Sequence, residues 1–342
     1  MDMKEIRDKA RKLAKGSCRV CPVCDGRVCS GEVPGMGGAG SGVSFRNNID
    51  ALASIRLNMR LVHEVKEPDL ATEILGLKFA APIMIGPIGG ISFNLGDAMP
   101  EGDYQEAIVA GAAATGIVAG LPDAVPIAVM ETAVAIAKKY PGVAVPFIKP
   151  WELPAFESKV EMCAGAGCRV IGCDLDSIGL ITLRKMGHPA YAKNRATLAE
   201  MTEMIHKRGA KFIIKGIMMV EDAVACLEAG VDGIVVSNHG GRVLDAVPGT
   251  AEVLPAVSAA ARGRMAVIVD GGVRGGVDVL KMLALGADCV IIGRPYSIAA
   301  IGGGKEGVEL YTQTCLAQLS QAMIMTGCQD VGQAGLHLLY DY

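Results

Sequence analysis

Residues able to do proton and charge chemistry stand at the ends of a series of short apolar runs. CRVIGCD ends on Asp174, KFIIKG carries Lys215 near its end, and GIVVSN passes through Ser237 to His239 and, three residues on, Arg242. MAVIVDGG runs through Asp270 and Gly272 to Arg274, and CVIIGRP ends on Gly293 and Arg294. Histidine is the side chain best suited to take a proton near neutral pH, an aspartate can orient it or hold its imidazolium, and a fixed lysine offers positive charge. Glycine-rich turns free backbone N–H groups, and with two arginines they make a cradle for a phosphate. A phosphate-bearing ligand is therefore expected at the last two of these turns.

A second group of chemically capable residues lies near the N-terminus. Cys18, Cys21, Cys24 and Cys29 fall within CRVCPVCDGRVC, while most of the other cysteines sit in apolar strand or helix patterns. The C-x2-C-x2-C-x4-C spacing suits an iron–sulfur cluster. It equally suits a zinc ion or a redox-active pair such as Cys21 and Cys24, and these alternatives stay open. Four unliganded thiols in one flexible segment would be an oxidation hazard, so metal binding is the expectation.

The elements that must position these residues follow from the pattern. AAPIMIG, GIVAG, VAVPFIK, CRVIGCD, KFIIKG, GIVVSN, MAVIVDGG and CVIIGRP are short, Val- and Ile-rich and without polar alternation, as strands buried on both faces are. Helix-length amphipathic segments alternate with them: 103–115, 196–208, 220–229 and 276–285, each followed directly by glycine. Repeated βα units of this kind predict a (β/α)8 TIM barrel, which places its active site at the C-terminal strand ends. Residues 1–77 do not share the rhythm. They are expected to form an N-terminal extension (a charged helix, the cysteine cluster, the glycine-rich GEVPGMGGAGSG and a further helix) that closes the bottom of a barrel spanning 78–342. The polar stretch 177–195, with Arg184, Lys185, His188 and Lys193, is expected to be a lid or substrate loop.

Bulk properties narrow the class. A formal net charge of −3 over 342 residues gives no footprint for nucleic acid or an anionic membrane surface. No apolar run is long enough to span a membrane, and the charged N-terminal helix lacks the apolar core of a secretory signal. A cytoplasmic protein is expected.

GIVVSNHGGRVLDAVPGTAEVLPAV, followed by VIVDGGVRGGVDVLKMLALGADCVIIGRP, closely resembles the FMN-dependent 2-hydroxy-acid oxidase and dehydrogenase family, and the likeness extends back through KFIIKGI and AAPIMIGP to FRNNIDAL. The resemblance implies FMN as cofactor, a small-molecule 2-hydroxy acid as substrate, and a homo-oligomer, tetrameric or larger. It implies His239 as the catalytic base, Asp174 as its partner, Lys215 beside the flavin N1 and O2 edge, and Arg242 as the substrate-carboxylate anchor. Pro87, Gly89, Ser237, Asp270, Gly272, Arg274, Gly293 and Arg294 match the cofactor contacts. Departures are equally specific. The positions nearest the family's two substrate-facing tyrosines are Gly35 and Pro146, a second arginine is replaced by Ile181 with Arg184 nearby, and GPIGG carries Gly89 and Gly90 where the family has side chains. The flavin machinery is thus expected intact and the carboxylate clamp reduced, for a lactate- or glycolate-like substrate or a larger one, with an electron acceptor other than oxygen plausible. An FMN isomerase of the isopentenyl-diphosphate type and a flavin- or metal-binding sensor with a decayed pocket are the competing readings.

Overall fold

The computed structural model describes residues 1–187 and 190–342. Eight parallel strands close into a barrel in chain order: β1 (Ile83–Ile85), β2 (Val118–Pro122), β3 (Ala144–Ile148), β4 (Val170–Asp174), β5 (Lys211–Ile217), β6 (Gly233–Val236), β7 (Ala266–Val269) and β8 (Cys289–Ile292), with β8 pairing back onto β1. Each of the eight apolar runs forms one of these strands. Their residues are nearly all buried, because one face fills the barrel and the other meets the surrounding helices. Helices Glu101–Thr115, Arg195–His206, Val220–Glu228 and Gly276–Ala284 occupy the expected segments within one or two residues.

The bottom of the barrel is plugged by a hairpin. Strands Thr72–Ile74 and Leu77–Phe79 pair antiparallel across the expected boundary at residue 77. Ile74, Leu77 and Phe79 join Met84, Phe147, Ile213 and Ile291 in one apolar cluster inside the barrel. Apolar burial of this kind stabilises by about 25 cal/mol per Å² removed from water, so the hairpin and the barrel floor stabilise one another.

Two N-terminal helices pack on the outside and top. α1 (Met3–Leu13) starts at a capping box in which Asp2 accepts from the Glu5 N–H and Glu5 from the Asp2 N–H, and it buries Ile6 and Ala10 against the long C-terminal helix Arg294–Thr326. α2 (Val43–Ser54) carries the FRNN sequence. Its buried Asn48 exchanges hydrogen bonds with Asn238 (2.8 and 3.1 Å) and accepts from the Thr250 N–H, tying the helix to the loop after β6. No helix among the described residues is long and apolar enough to cross a membrane.

Candidate active site

Strand register brings the charged residues together. Asp174 at the end of β4 pairs with Lys215 in β5, so two opposite charges sit side by side at the barrel mouth. A β-bulge follows Lys215, and Gly216 there adopts φ +110. A Cβ at Gly216 would lie 2.4 Å from that of Asp176, so glycine is what allows the Asp176 turn to pack over β5. His239, beyond β6, adopts φ +56, a left-handed conformation that is uncommon for non-glycine residues and characteristic of functional sites. Its N–H donates to Ser237 Oγ at 3.0 Å, and Ser237 donates in turn to Asp270 Oδ2 at 2.8 Å.

The partner of His239 differs from the sequence expectation. Nδ1 lies 2.8 Å from Asp176 Oδ1 and 3.9 Å from Asp174 Oδ1. Asp174 is instead engaged by Lys149 Nζ at 2.5 Å and Lys215 Nζ at 3.0 Å. The physical reason is that Asp174 is strand-paired with Lys215 and buried among ammonium groups, whereas the turn that follows carries Asp176 over to the imidazole. Nδ1 also lies 3.2 Å from Lys215 Nζ; with the Nδ1 proton directed at the Asp176 carboxylate, Nε2 is the nitrogen left to accept one.

The electrostatics are those of a buried charge network. Burial by itself would raise the Asp174 pKa, but Lys149, Lys215 and His239 outweigh it and hold the carboxyl well below the usual range. Burial would likewise lower Lys215, yet Asp174, Asp176 and Asp270 keep its ammonium well above its ordinary value. Asp270 is pushed up by burial, against the opposing pull of Lys215 and the Ser237 hydrogen bond. Asp174, Asp176 and His239 offer three ligand atoms within 4.8 Å. Lys215, 3.0 and 3.5 Å from the two carboxylates, already supplies the positive charge a metal would bring there.

Above these residues, at the C-terminal ends of the strands, opens a cavity, where barrels place their ligand sites. Pro87, Gly89, Asp270, Gly272, Arg274, Gly293 and Arg294 line it together with Asp174, Lys215, His239 and Arg242, while Ser237 lies buried beneath. Among the buried polar atoms on this lining, Asp270 Oδ1 and Arg274 Nε have no hydrogen-bond partner, whereas Asp174 Oδ1 faces the Lys215 ammonium at 3.0 Å. The first offers an acceptor for hydroxyls and the second a donor for an anion, which is the donor set that the ribityl chain and phosphate of FMN require. Arg294 donates to the Met36 and Gly240 carbonyls (2.8 and 3.0 Å) and stacks 3.9 Å from the Phe45 ring centroid. The residues present fit the cofactor.

The substrate side departs further from the sequence reading. Pro146, nearest in sequence to the family's tyrosine, lies within β3 opposite Leu121. Lys149, three residues on, takes the pocket position, and its N–H donates to Asp123 at 3.0 Å. Arg184 sits exposed on the short helix Ile181–Lys185, whose buried face places Thr182 and Leu183 against the cavity, so Arg184 does not line it. His188 lies outside the described residues. Arg242 does reach the cavity, donating to the Gly35 carbonyl and, at 3.0 Å, to Asn94 Oδ1. Burial, then the positive charge of Arg294, presses its pKa down. An arginine does not release its proton in a protein, so Arg242 presents a fixed positive charge to the cavity. The space at Gly89 is filled by Pro122, 2.7 Å from where a Cβ would stand, and that at Gly90 by the Phe93 ring.

Asp176, Lys149 and Asn94 were not picked out from sequence. Lys149 carries a readable signal, since it ends the run VAVPFIK as Asp174 ends CRVIGCD. Asp176 stands two residues past a strand end, and only the path of the turn reveals it.

Comparison with known proteins agrees with this geometry. The chain matches the FMN-dependent dehydrogenase family over residues 35–207 and 182–341. It is 32% identical over 321 residues to an L-lactate oxidase of Lacticaseibacillus rhamnosus, covering 86% of this chain and 85% of that one. It is also 32% identical over 330 residues to a peroxisomal (S)-2-hydroxyacid oxidase of Arabidopsis thaliana, covering 86% and 87%. Among solved structures, mandelate oxidase with benzoyl-formic acid superposes with a TM-score of 0.79 at 26% identity, covering 98% of this chain and 97% of that one. A mandelate oxidase variant carrying a C4a-OH-FMN adduct gives 0.77 at 27%, covering 98% of each. With a closed eightfold barrel, an FMN-competent cavity and a family match over nearly all of residues 35–341, the chain belongs to the FMN-dependent dehydrogenase family and is an FMN-dependent oxidoreductase.

Proposed function

We propose that the protein oxidises a 2-hydroxy acid to the corresponding 2-oxo acid, and that the observation carrying this reading is the Asp176–His239 pair set beside Lys215 at the rim of the cavity above the barrel. Bound FMN supplies a two-electron acceptor. His239 Nε2 removes a proton from the substrate, and Asp176 stabilises the resulting imidazolium through Nδ1–H. Lys215, buried and held charged by its carboxylates, stabilises negative charge that develops beside it. Arg242 is the carboxylate anchor, and Lys149 takes the place left by the missing tyrosine as a second cationic group at the substrate. Pro87, Gly89, Ser237, Asp270, Gly272, Arg274, Gly293 and Arg294 hold the cofactor, the last with Arg274 at its phosphate. The apolar wall of Met36, Phe93, Leu180, Leu183 and Met186 favours a substrate with an apolar substituent over glycolate.

The matched relatives named above are oxidases, which favours net oxidation over isomerisation or a sensor with a decayed pocket. A metal group at Cys18, Cys21, Cys24 and Cys29, assembly as a homo-oligomer and a cytoplasmic location complete the proposal. The decisive experiment adds a panel of aliphatic and aromatic 2-hydroxy acids to the purified flavoprotein without oxygen and follows the flavin absorbance. Bleaching by a panel member that His239→Gln abolishes supports the reading; no bleaching by any member overturns it.

A further inference from the structure

The four N-terminal cysteines precede the first residue of the family match, residue 35, so the shared flavin chemistry does not account for them. They nevertheless form a built site. All four line one small cavity, walled by Val20, Val28, Phe45 and Ile298 and by the guanidinium of Arg294. The loop that carries them is held from outside by α1. Arg7 donates to the Cys21 carbonyl at 2.5 Å, and Arg11 to the Val20 and Arg19 carbonyls at 2.9 and 3.1 Å. From inside, Arg274 donates to the Cys24 carbonyl at 2.9 Å and approaches Cys24 Sγ at 3.5 Å. All four cysteines are free thiols, each partly buried.

The ligand pattern and its surroundings favour a cluster over a single ion. Zinc bonds sulfur at about 2.3 Å, so a tetrahedral site of four thiolates draws its sulfurs to about 3.8 Å apart. In a cubane cluster each thiolate instead binds a different iron, so the ligands stand around a cavity and not on one point, and these four line one cavity. The C-x2-C-x2-C run of Cys18, Cys21 and Cys24 places three ligands as ferredoxin-type clusters do, and Cys29, lining the same cavity, is the fourth. Four thiolates leave the cluster with net negative charge, and Arg294 and Arg274 are the cations in place to offset it. Both arginines also line the flavin cavity, and Met36 and Arg294 are walls common to the two spaces.

We propose that Cys18, Cys21, Cys24 and Cys29 hold a [4Fe–4S] cluster that carries electrons from the flavin site to a one-electron carrier protein, making the protein a dehydrogenase. The electron route rests on the function proposed above. The balance closes as follows: the 2-hydroxy acid loses two electrons and two protons to become the 2-oxo acid, the electrons leave singly through the cluster to two equivalents of oxidised carrier, and the protons pass to solvent by way of His239.

The test is made on full-length protein purified without oxygen. Iron and acid-labile sulfide are each expected at about four per chain, with an EPR signal after dithionite that also appears after addition of a bleaching 2-hydroxy acid alone. Cys21→Ser is expected to lose the iron and the signal, and Cys328→Ser, in the C-terminal helical region away from both cavities, to keep them. Zinc or no metal in the wild-type protein would overturn the proposal, as would iron that Cys21→Ser retains in full or a cluster signal that dithionite elicits and substrate never does. Failure of the iron analysis with flavin bleaching intact removes the cluster alone. A full iron complement without bleaching by any hydroxy acid removes the proposed substrate chemistry and the electron route, and leaves the cluster site standing.

Discussion

Replacing Asp176 by asparagine separates the geometry of this site from the assignment that sequence position alone suggests. The carboxylate oxygen lies 2.8 Å from His239 Nδ1. Asparagine keeps the volume and removes the charge that stabilises the imidazolium. Two unit charges at that distance interact by about 6 kcal/mol at an effective dielectric of 20, which is an upper bound. Lys215 lies 3.5 Å from the other Asp176 oxygen and already offsets part of that charge. A charge-assisted hydrogen bond of about 1.5–3 kcal/mol is the better measure, and at about 1.4 kcal/mol per decade of rate it predicts a roughly 10- to 150-fold fall in kcat. The assay is the anaerobic rate of flavin bleaching under substrate saturation, compared for α-protiated and α-deuterated substrate. The isotope effect is expected to rise in the variant, because the slowed step is the chemical one. Asp174→Asn provides the contrast: it leaves the Nδ1 contact in place and unbalances Lys149 and Lys215. Bleaching by Asp176→Asn within twofold of wild type, with collapse confined to Asp174→Asn, would show that Asp174 orients the imidazole and that the reasoning here is wrong.

Other substitutions report on neighbouring parts of the site. Lys149→Met should raise KM for the hydroxy acid by about tenfold, the effect of one lost charge-assisted contact, with a smaller change in kcat. The same variant should weaken acid resistance. Asp174 is held below the usual carboxylate range by Lys149, Lys215 and His239 against the cost of burial, so its contribution to stability is present above the unfolded value near 3.9 and lost only as pH falls through the lower folded value. Without Lys149 that loss begins at higher pH, and urea midpoints measured from pH 7 down to 3 should diverge from wild type as the pH falls. Gly89→Ala places a methyl 2.7 Å from the Pro122 ring, and overpacking of about 1–3 kcal/mol should appear as a lower urea midpoint together with reduced FMN occupancy. Arg184→Ala should leave KM within about twofold, since an exposed side chain away from the cavity has little to lose; a tenfold rise in KM would place it at the substrate after all.

Much of this protein can be read in one dimension. The eight apolar runs are strands because continuous Val- and Ile-rich segments of four to eight residues between amphipathic helices have no other favourable burial. Since barrel sites form where such strands end, His239, Asp174, Lys215, Asp270, Arg274 and Arg294 were legible as one constellation before any contact was known. The cysteine spacing was legible too, as a ligand set of undecided identity. Side-chain partnership was not, because it depends on distances that sequence order does not encode. The bulge at Gly216 and the turn after β4 put Asp176 on His239 and leave Asp174 to two lysines. The register of β3 makes Lys149, and not Pro146, face the pocket. Half a helical turn places Thr182 against the cavity and Arg184 in solvent. Only the tertiary structure sets the cysteine loop against Arg274, through a contact between residues 24 and 274 that lie 250 positions apart. Local pattern determined which residues stand at the barrel mouth, because burial is a property of short segments. Which of them touch was decided by strand register and loop path, which belong to the closed barrel as a whole.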